Sequence, residues 1–125
     1  MTKRILLIDD EEDIQAVARL GLTMQAGWEV LSANSGQEGI AVAEAEQPDA
    51  ILLDVMMPDL DGVATLQKLR DNSKVRQIPV IFLTAKAQTA DRQFFLEAGA
   101  TGVITKPFDS LTLAKQMAEI LAWTL

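Results

Sequence analysis

The 125-residue chain contains no cysteine and no histidine. It therefore has no thiol nucleophile, no Ser-His triad, no zinc cluster and no imidazole acid or base of its own. Only carboxylates, lysines and hydroxyls remain for chemistry. Positive charge is scarce too, since 11 Lys and Arg stand against 18 Asp and Glu, a formal net charge of -7. Such a surface repels nucleic-acid phosphates, so direct DNA or RNA binding by this segment is not expected, and any genetic output must lie elsewhere. The apolar stretch that follows Met1-Thr2-Lys3-Arg4 is too short for a signal-peptide core or a membrane span. A cytoplasmic chain with no membrane association is the expectation. Low-complexity runs, Ser/Gly-rich linkers and fixed-period repeats are also missing, which predicts one domain over residues 1–125.

What is present is apolar and regularly spaced. Hydrophobic residues make up 49% of the chain, enough for a proper core. Runs of strand length occur at Ile5-Leu6-Leu7-Ile8, Ala50-Ile51-Leu52-Leu53 and Val80-Ile81-Phe82-Leu83, with weaker ones at Glu29-Val30-Leu31 and Gly102-Val103-Ile104. The first three do not alternate with polar residues, which is the pattern of parallel strands covered on both faces. The intervening segments read as helices. Ile14, Val17, Ala18 and Gly21 share one face of the first, and Val63, Leu66 and Leu69 one face of the third. Ser35-Gly36-Gln37-Glu38 has the spacing of a capping box, Phe94, Phe95 and Ala98 form the inner face of a fourth helix ended by Gly99, and Ser110 can cap the last. Five strand-helix repeats with right-handed crossovers predict an α/β, doubly wound, five-stranded parallel sheet. Its ligands belong at the carboxyl ends of the strands.

The chemistry-bearing residues fall at those ends. Asp9 and Asp10 follow the first strand, Asp54 ends the third, Thr84 ends the fourth and Lys106 follows the fifth. Each has a plainer reading when taken alone: a charged helix start for the acids after Ile8, a turn residue for Asp54, a strand-end hydroxyl for Thr84, a solvated lysine for Lys106. Asp61-Gly62 could be a tight turn, Lys106-Pro107 a chain stop, and Met56-Met57 core filler. Their shared place at one rim of one sheet is what independent surface residues would not produce. Unit charges about 4 Å apart at an effective dielectric near 20 interact by roughly 4 kcal/mol, so clustered carboxylates call for a cation. Oxygen-only donors point to Mg²⁺.

Ile8-Asp9-Asp10-Glu11, Asp54-Val55-Met56-Met57-Pro58 with Asp61-Gly62, Leu83-Thr84-Ala85, Gly99-Ala100 and Lys106-Pro107-Phe108 together resemble the response-regulator receiver domains of two-component signalling. The resemblance runs over essentially the whole chain. It implies a flavodoxin-like strand order of 2-1-3-4-5 and a phosphoacceptor at Asp54. Mg²⁺ would be held by Asp10, Asp54 and the Met56 backbone carbonyl, with Asp9 acting through water. Lys106 and Thr84 would engage phosphoryl oxygens, and the Lys106-Pro107 bond would be cis. It further implies a histidine kinase or histidine phosphotransfer protein as donor, an output protein or domain as partner, and a signalling phosphoacceptor that promotes its own phosphorylation and dephosphorylation rather than a conventional enzyme.

The chain departs from the family at the position three residues before the lysine, where Val103 replaces the usual switch aromatic. Thr101-Gly102 and Leu111-Thr112 also stand where members that dimerise through the fourth helix, fifth strand and fifth helix carry paired charges. Other readings share parts of the pattern. A Mg²⁺-dependent aspartyl-phosphate hydrolase resembles its relatives in a second acid two residues after the nucleophile, where this chain has Met56. A flavodoxin-like electron carrier needs a hydroxyl- and Gly-rich phosphate loop where this chain has Asp9-Asp10-Glu11-Glu12. A receiver-like interaction module without phosphotransfer is the third alternative.

Overall fold

In the computed structural model, which describes residues 2–57, 60–85 and 88–124, five strands alternate with five helices. They run β1 (Arg4–Ile8), α1 (Glu12–Ala26), β2 (Glu29–Ala33), α2 (Gly36–Glu46), β3 (Ala50–Asp54), α3 (Gly62–Asp71), β4 (Val80–Thr84), α4 (Thr89–Glu97), β5 (Gly102–Thr105) and α5 (Leu113–Leu121). All strand pairs are parallel, in the order β2-β1-β3-β4-β5. This is the doubly wound parallel sheet that the strand-helix alternation predicts, in the flavodoxin-like order that the resemblance implies.

Successive strand residues point to opposite faces, so the apolar runs feed two cores at once. Leu6, Ile8, Ile51, Leu53, Val80 and Phe82 pack with Ala43 of α2, Leu66 and Leu69 of α3 and Phe95 of α4. Ile5, Leu7, Leu52, Ile81 and Leu83 pack on the other side with Ala18 and Leu22 of α1 and Leu113, Ala114, Met117 and Ala118 of α5. Trp28 and Trp123 meet edge to face with ring centroids 5.5 Å apart, and the Lys3 ammonium lies 4.6 Å from the Trp123 centroid.

The helix ends follow their local chemistry. Ser35 caps α2 by accepting from the Glu38 N–H, while Glu38 accepts from the Asn34 N–H. Asp61 caps α3 by accepting from the Ala64 N–H at 2.8 Å. Gly99 follows the end of α4 with φ +113, a conformation that favours glycine. Three expectations are corrected. Ser110 does not cap α5, which begins at Leu113 after Thr112. The Asp109 carboxylate instead accepts from the Leu111 N–H, holding a turn ahead of the helix. Val17 and Phe94 are exposed rather than inward-facing, because α1 presents Ala18 and Leu22 to the sheet and α4 presents Phe95. None of the described helices is long and apolar enough to cross a membrane.

Candidate phosphoacceptor site

Because the strands are parallel, the residues at their carboxyl ends share one edge of the sheet. Asp9 leaves β1 fully buried, Asp54 closes β3 at 2% exposure and Thr84 closes β4 at 2%. Lys106 follows β5, and its backbone N–H donates to the Thr84 carbonyl at 2.8 Å, which ties the ends of β4 and β5 together. The Lys106-Pro107 peptide bond is cis. The lysine side chain crosses to the acids, its Nζ 3.1 Å from Asp54 Oδ1 and 3.4 Å from Asp9 Oδ2.

Each buried carboxylate is held by a backbone amide as well. Asp9 Oδ1 accepts from the Glu11 N–H at 2.8 Å, and Asp54 Oδ1 accepts from the Met56 N–H at 3.3 Å. Asp54 Oδ2 is buried and has no hydrogen-bond partner among the described residues. Gly62, the first residue of α3, lies so close to this strand end that a Cβ there would stand 2.5 Å from the Asp54 carbonyl oxygen and 2.7 Å from the Val55 Cα. Its N–H donates to the Val55 carbonyl at 3.0 Å. The absence of a side chain is what lets α3 start against the end of β3.

Among the described residues, charge at this edge does not balance. Burial, reinforced by the charge of Asp54, pushes the Asp9 carboxyl above its ordinary value, although the Glu11 amide and Lys106 pull the other way. Burial pulls Lys106 down, but the Asp54 hydrogen bond and the charges of Asp9 and Asp54 outweigh it and hold the ammonium above its ordinary value. Among the described residues one lysine thus faces two buried acids, and exposed Asp10 and Glu11 bring their carboxylates into the same group. Carboxylate oxygens of Asp9, Asp10, Glu11 and Asp54 lie within 4.8 Å of one another. An all-oxygen donor set with a buried, unpaired Asp54 oxygen fits a hard divalent cation.

The structure therefore brings together Asp9, Asp10, Asp54 and Lys106, and sets Thr84 beside Lys106 through the backbone. Met56 reaches the group through its amide, while its side chain is exposed. Pro58 of the sequence motif lies outside the described residues. Glu11 is the one member of the acidic group that sequence reasoning left among ordinary helix-start acids. Its only signal was adjacency to Asp9-Asp10, which many helix starts share. Val103 is buried on β5 in the core beneath α4.

Comparison with known proteins agrees with this geometry. The chain is 39% identical over 121 residues to the alkaline phosphatase synthesis transcriptional regulatory protein PhoP of Bacillus subtilis, covering 97% of this chain and 49% of that protein. It is 38% identical over 125 residues to the response regulator PleD of Caulobacter vibrioides, covering 100% of this chain and 27% of that protein. The chain thus spans about half the length of the first and about a quarter of the second. Among solved structures, the chemotaxis response regulator CheY4 of Vibrio cholerae superposes with a TM-score of 0.88 at 31% identity, covering 96% of this chain and 99% of that one. The response regulator receiver domain pattern itself matches residues 5–118, and the chain belongs to that family of two-component signalling domains.

Proposed function

We propose that residues 1–125 form one receiver domain that takes a phosphoryl group onto Asp54 in a Mg²⁺-dependent reaction and changes its affinity for a partner as a result. The observation that carries this reading is the state of the Asp54 carboxylate. It is buried at a strand end, with one oxygen gripped by Lys106 and the other, among the described residues, unpaired inside a group of acids. A buried polar atom left unsatisfied costs about 1–3 kcal/mol, so a purely structural site would have paired it.

Asp10, Asp54 and the Met56 carbonyl would hold Mg²⁺ directly and Asp9 through water. The ion supplies charge neutralisation for the incoming phosphoryl oxygens. An Asp54 oxygen attacks phosphorus, the bond from phosphorus to the donor's imidazole nitrogen breaks, and the released imidazole takes a proton from solvent. The donor histidine belongs to a histidine kinase or phosphotransfer protein, since this chain has none. The new group carries about -1.5 to -2 charges, which draws Lys106 Nζ off its carboxylate partners and engages the Thr84 hydroxyl. Lys106 and Thr84 are joined through the backbone, so both strand ends shift together. With Val103 in place of an aromatic, the signal leaves through these loops and α4 rather than through a rotating ring. The output partner is a separate protein or domain. The net charge of -7 opposes direct nucleic-acid binding by this segment, and a cytoplasmic setting completes the reading.

Acetyl phosphate is the direct test. Intact-mass and phosphate-affinity gel analysis should show one phosphoryl group on the wild type with Mg²⁺, and none with EDTA or in Asp54→Asn. Equal labelling of wild type and Asp54→Asn would overturn the assignment.

A further inference from the structure

Gln15 lies in the first turns of α1 and touches none of the reacting groups, yet its side chain is among the most tightly engaged near the site. Its Nε2 donates to the Asp9 carbonyl at 2.6 Å and to Asn34 Oδ1 at 2.7 Å, with the Ala33 carbonyl at 3.5 Å. All three neighbours are acceptors, which fixes the amide nitrogen toward them. Asn34 is anchored in turn, because its N–H donates to Glu38 at the start of α2, and the Asp9 N–H donates to the Ala33 carbonyl at 3.1 Å. The amide of one side chain thus joins the ends of β1 and β2 to two helices.

The carbonyl it grips belongs to the peptide unit between Asp9 and Asp10. That unit is planar, so fixing its oxygen fixes the direction in which the chain departs to the Asp10 Cα. Asp10 is exposed at the rim, and its carboxylate depends on that backbone for its place beside Asp9, Glu11 and Asp54. The Asp9 carboxylate is pinned on its other side by the Glu11 N–H, so the turn from Asp9 to Glu11 is held at both ends.

We propose that Gln15 is a positioning residue for the cation site, orienting the Asp9-Asp10 peptide so that both carboxylates face one point without itself being a ligand. This rests on the reading of the acidic group as a Mg²⁺ site. Removing a group that orients metal ligands typically weakens binding 10–100-fold, and for a site this open the lower end is expected.

The experiment is Mg²⁺ titration by calorimetry on wild type, Gln15→Met and Asp54→Asn, with amide NMR spectra of the metal-free proteins. Gln15→Met keeps the length of the side chain and removes the donor. Its Mg²⁺ Kd should rise about tenfold, and the Asp10 amide resonance should move in the metal-free spectrum. A purely structural glutamine would lower the melting temperature and leave the Kd within twofold of wild type, and that result overturns the assignment. Should Gln15→Met fail to fold, Gln15→Asn, whose amide falls one methylene short of the Asp9 carbonyl, gives the same readout. If wild type binds Mg²⁺ and Asp54→Asn does not, the metal reading stands whatever Gln15 does. If wild type binds none, the metal reading fails and the role of Gln15 falls with it.

Discussion

Asp9 is a carboxylate kept where carboxylates are uncomfortable. Its folded-state pKa lies above the ordinary 3.8, chiefly because it is buried, so between that value and the raised one the folded chain holds a proton that the unfolded chain has released. Stability then falls as pH rises through this window. Lys106, whose pKa is raised from 10.5, works in a different range. Its contribution is fully present at neutral pH and disappears only as pH climbs past its folded value. The two effects separate in Asp9→Asn, which keeps an acceptor for the Glu11 N–H and removes the titration. In EDTA, the melting temperature of Asp9→Asn relative to wild type should rise as pH climbs above the ordinary 3.8 and level off once the raised value is passed. A difference that stays flat over that range would show that Asp9 titrates normally. The type of each site residue was legible in sequence, because carboxylates, a hydroxyl and a lysine fell at successive strand ends. Their bonding was not. Nothing in the spacing distinguishes the paired Asp54 oxygen from the unpaired one, or Glu11 from any other acid that opens a helix.

The strands were readable because the stretch of a strand buried on both faces is apolar, and β1, β3 and β4 are apolar except at one end, where Arg4, Asp54 and Thr84 stand. Helix ends depend on single hydrogen bonds and were read less well. Ser35 met its capping partner, whereas the turn held by Asp109 displaced the start of α5 from Ser110 to Leu113. Which apolar residues face inward was also partly hidden, since Phe94 and Phe95 are adjacent and only the neighbouring elements decide between them. The junction of β3 and α3 gives the sharpest expectation at this level. A methyl group at position 62 would meet backbone atoms rather than a pliant side chain, so Gly62→Ala must push α3 away from the end of β3. Urea denaturation should show a loss of about 1–3 kcal/mol, with slower labelling of Asp54 by acetyl phosphate. Unchanged stability would mean that the helix start gives way freely.

Across the whole molecule, the proposed cation binding would be linked to folding. A ligand that binds only the folded chain stabilises it by about 2.7 kcal/mol at a hundredfold excess over its Kd, so Mg²⁺ should raise the melting temperature of the wild type. Asp10→Ala should lose most of that gain. In EDTA its midpoint should equal or exceed that of the wild type, because one of several repelling carboxylates is gone; a large drop would mark Asp10 as a structural residue. The tryptophan pair offers a way to watch this. Trp28 precedes β2 and Trp123 follows α5, which places them at the amino-terminal edge of the sheet, a strand length of about 16 Å from the acids. They are the only tryptophans in the chain. Native emission should therefore be blind to whatever occupies Asp54 and change only when the edge-to-face pair comes apart. Such a pair would serve as an optical gauge of folding set apart from the proposed chemistry, so that the two could be recorded in the same cuvette.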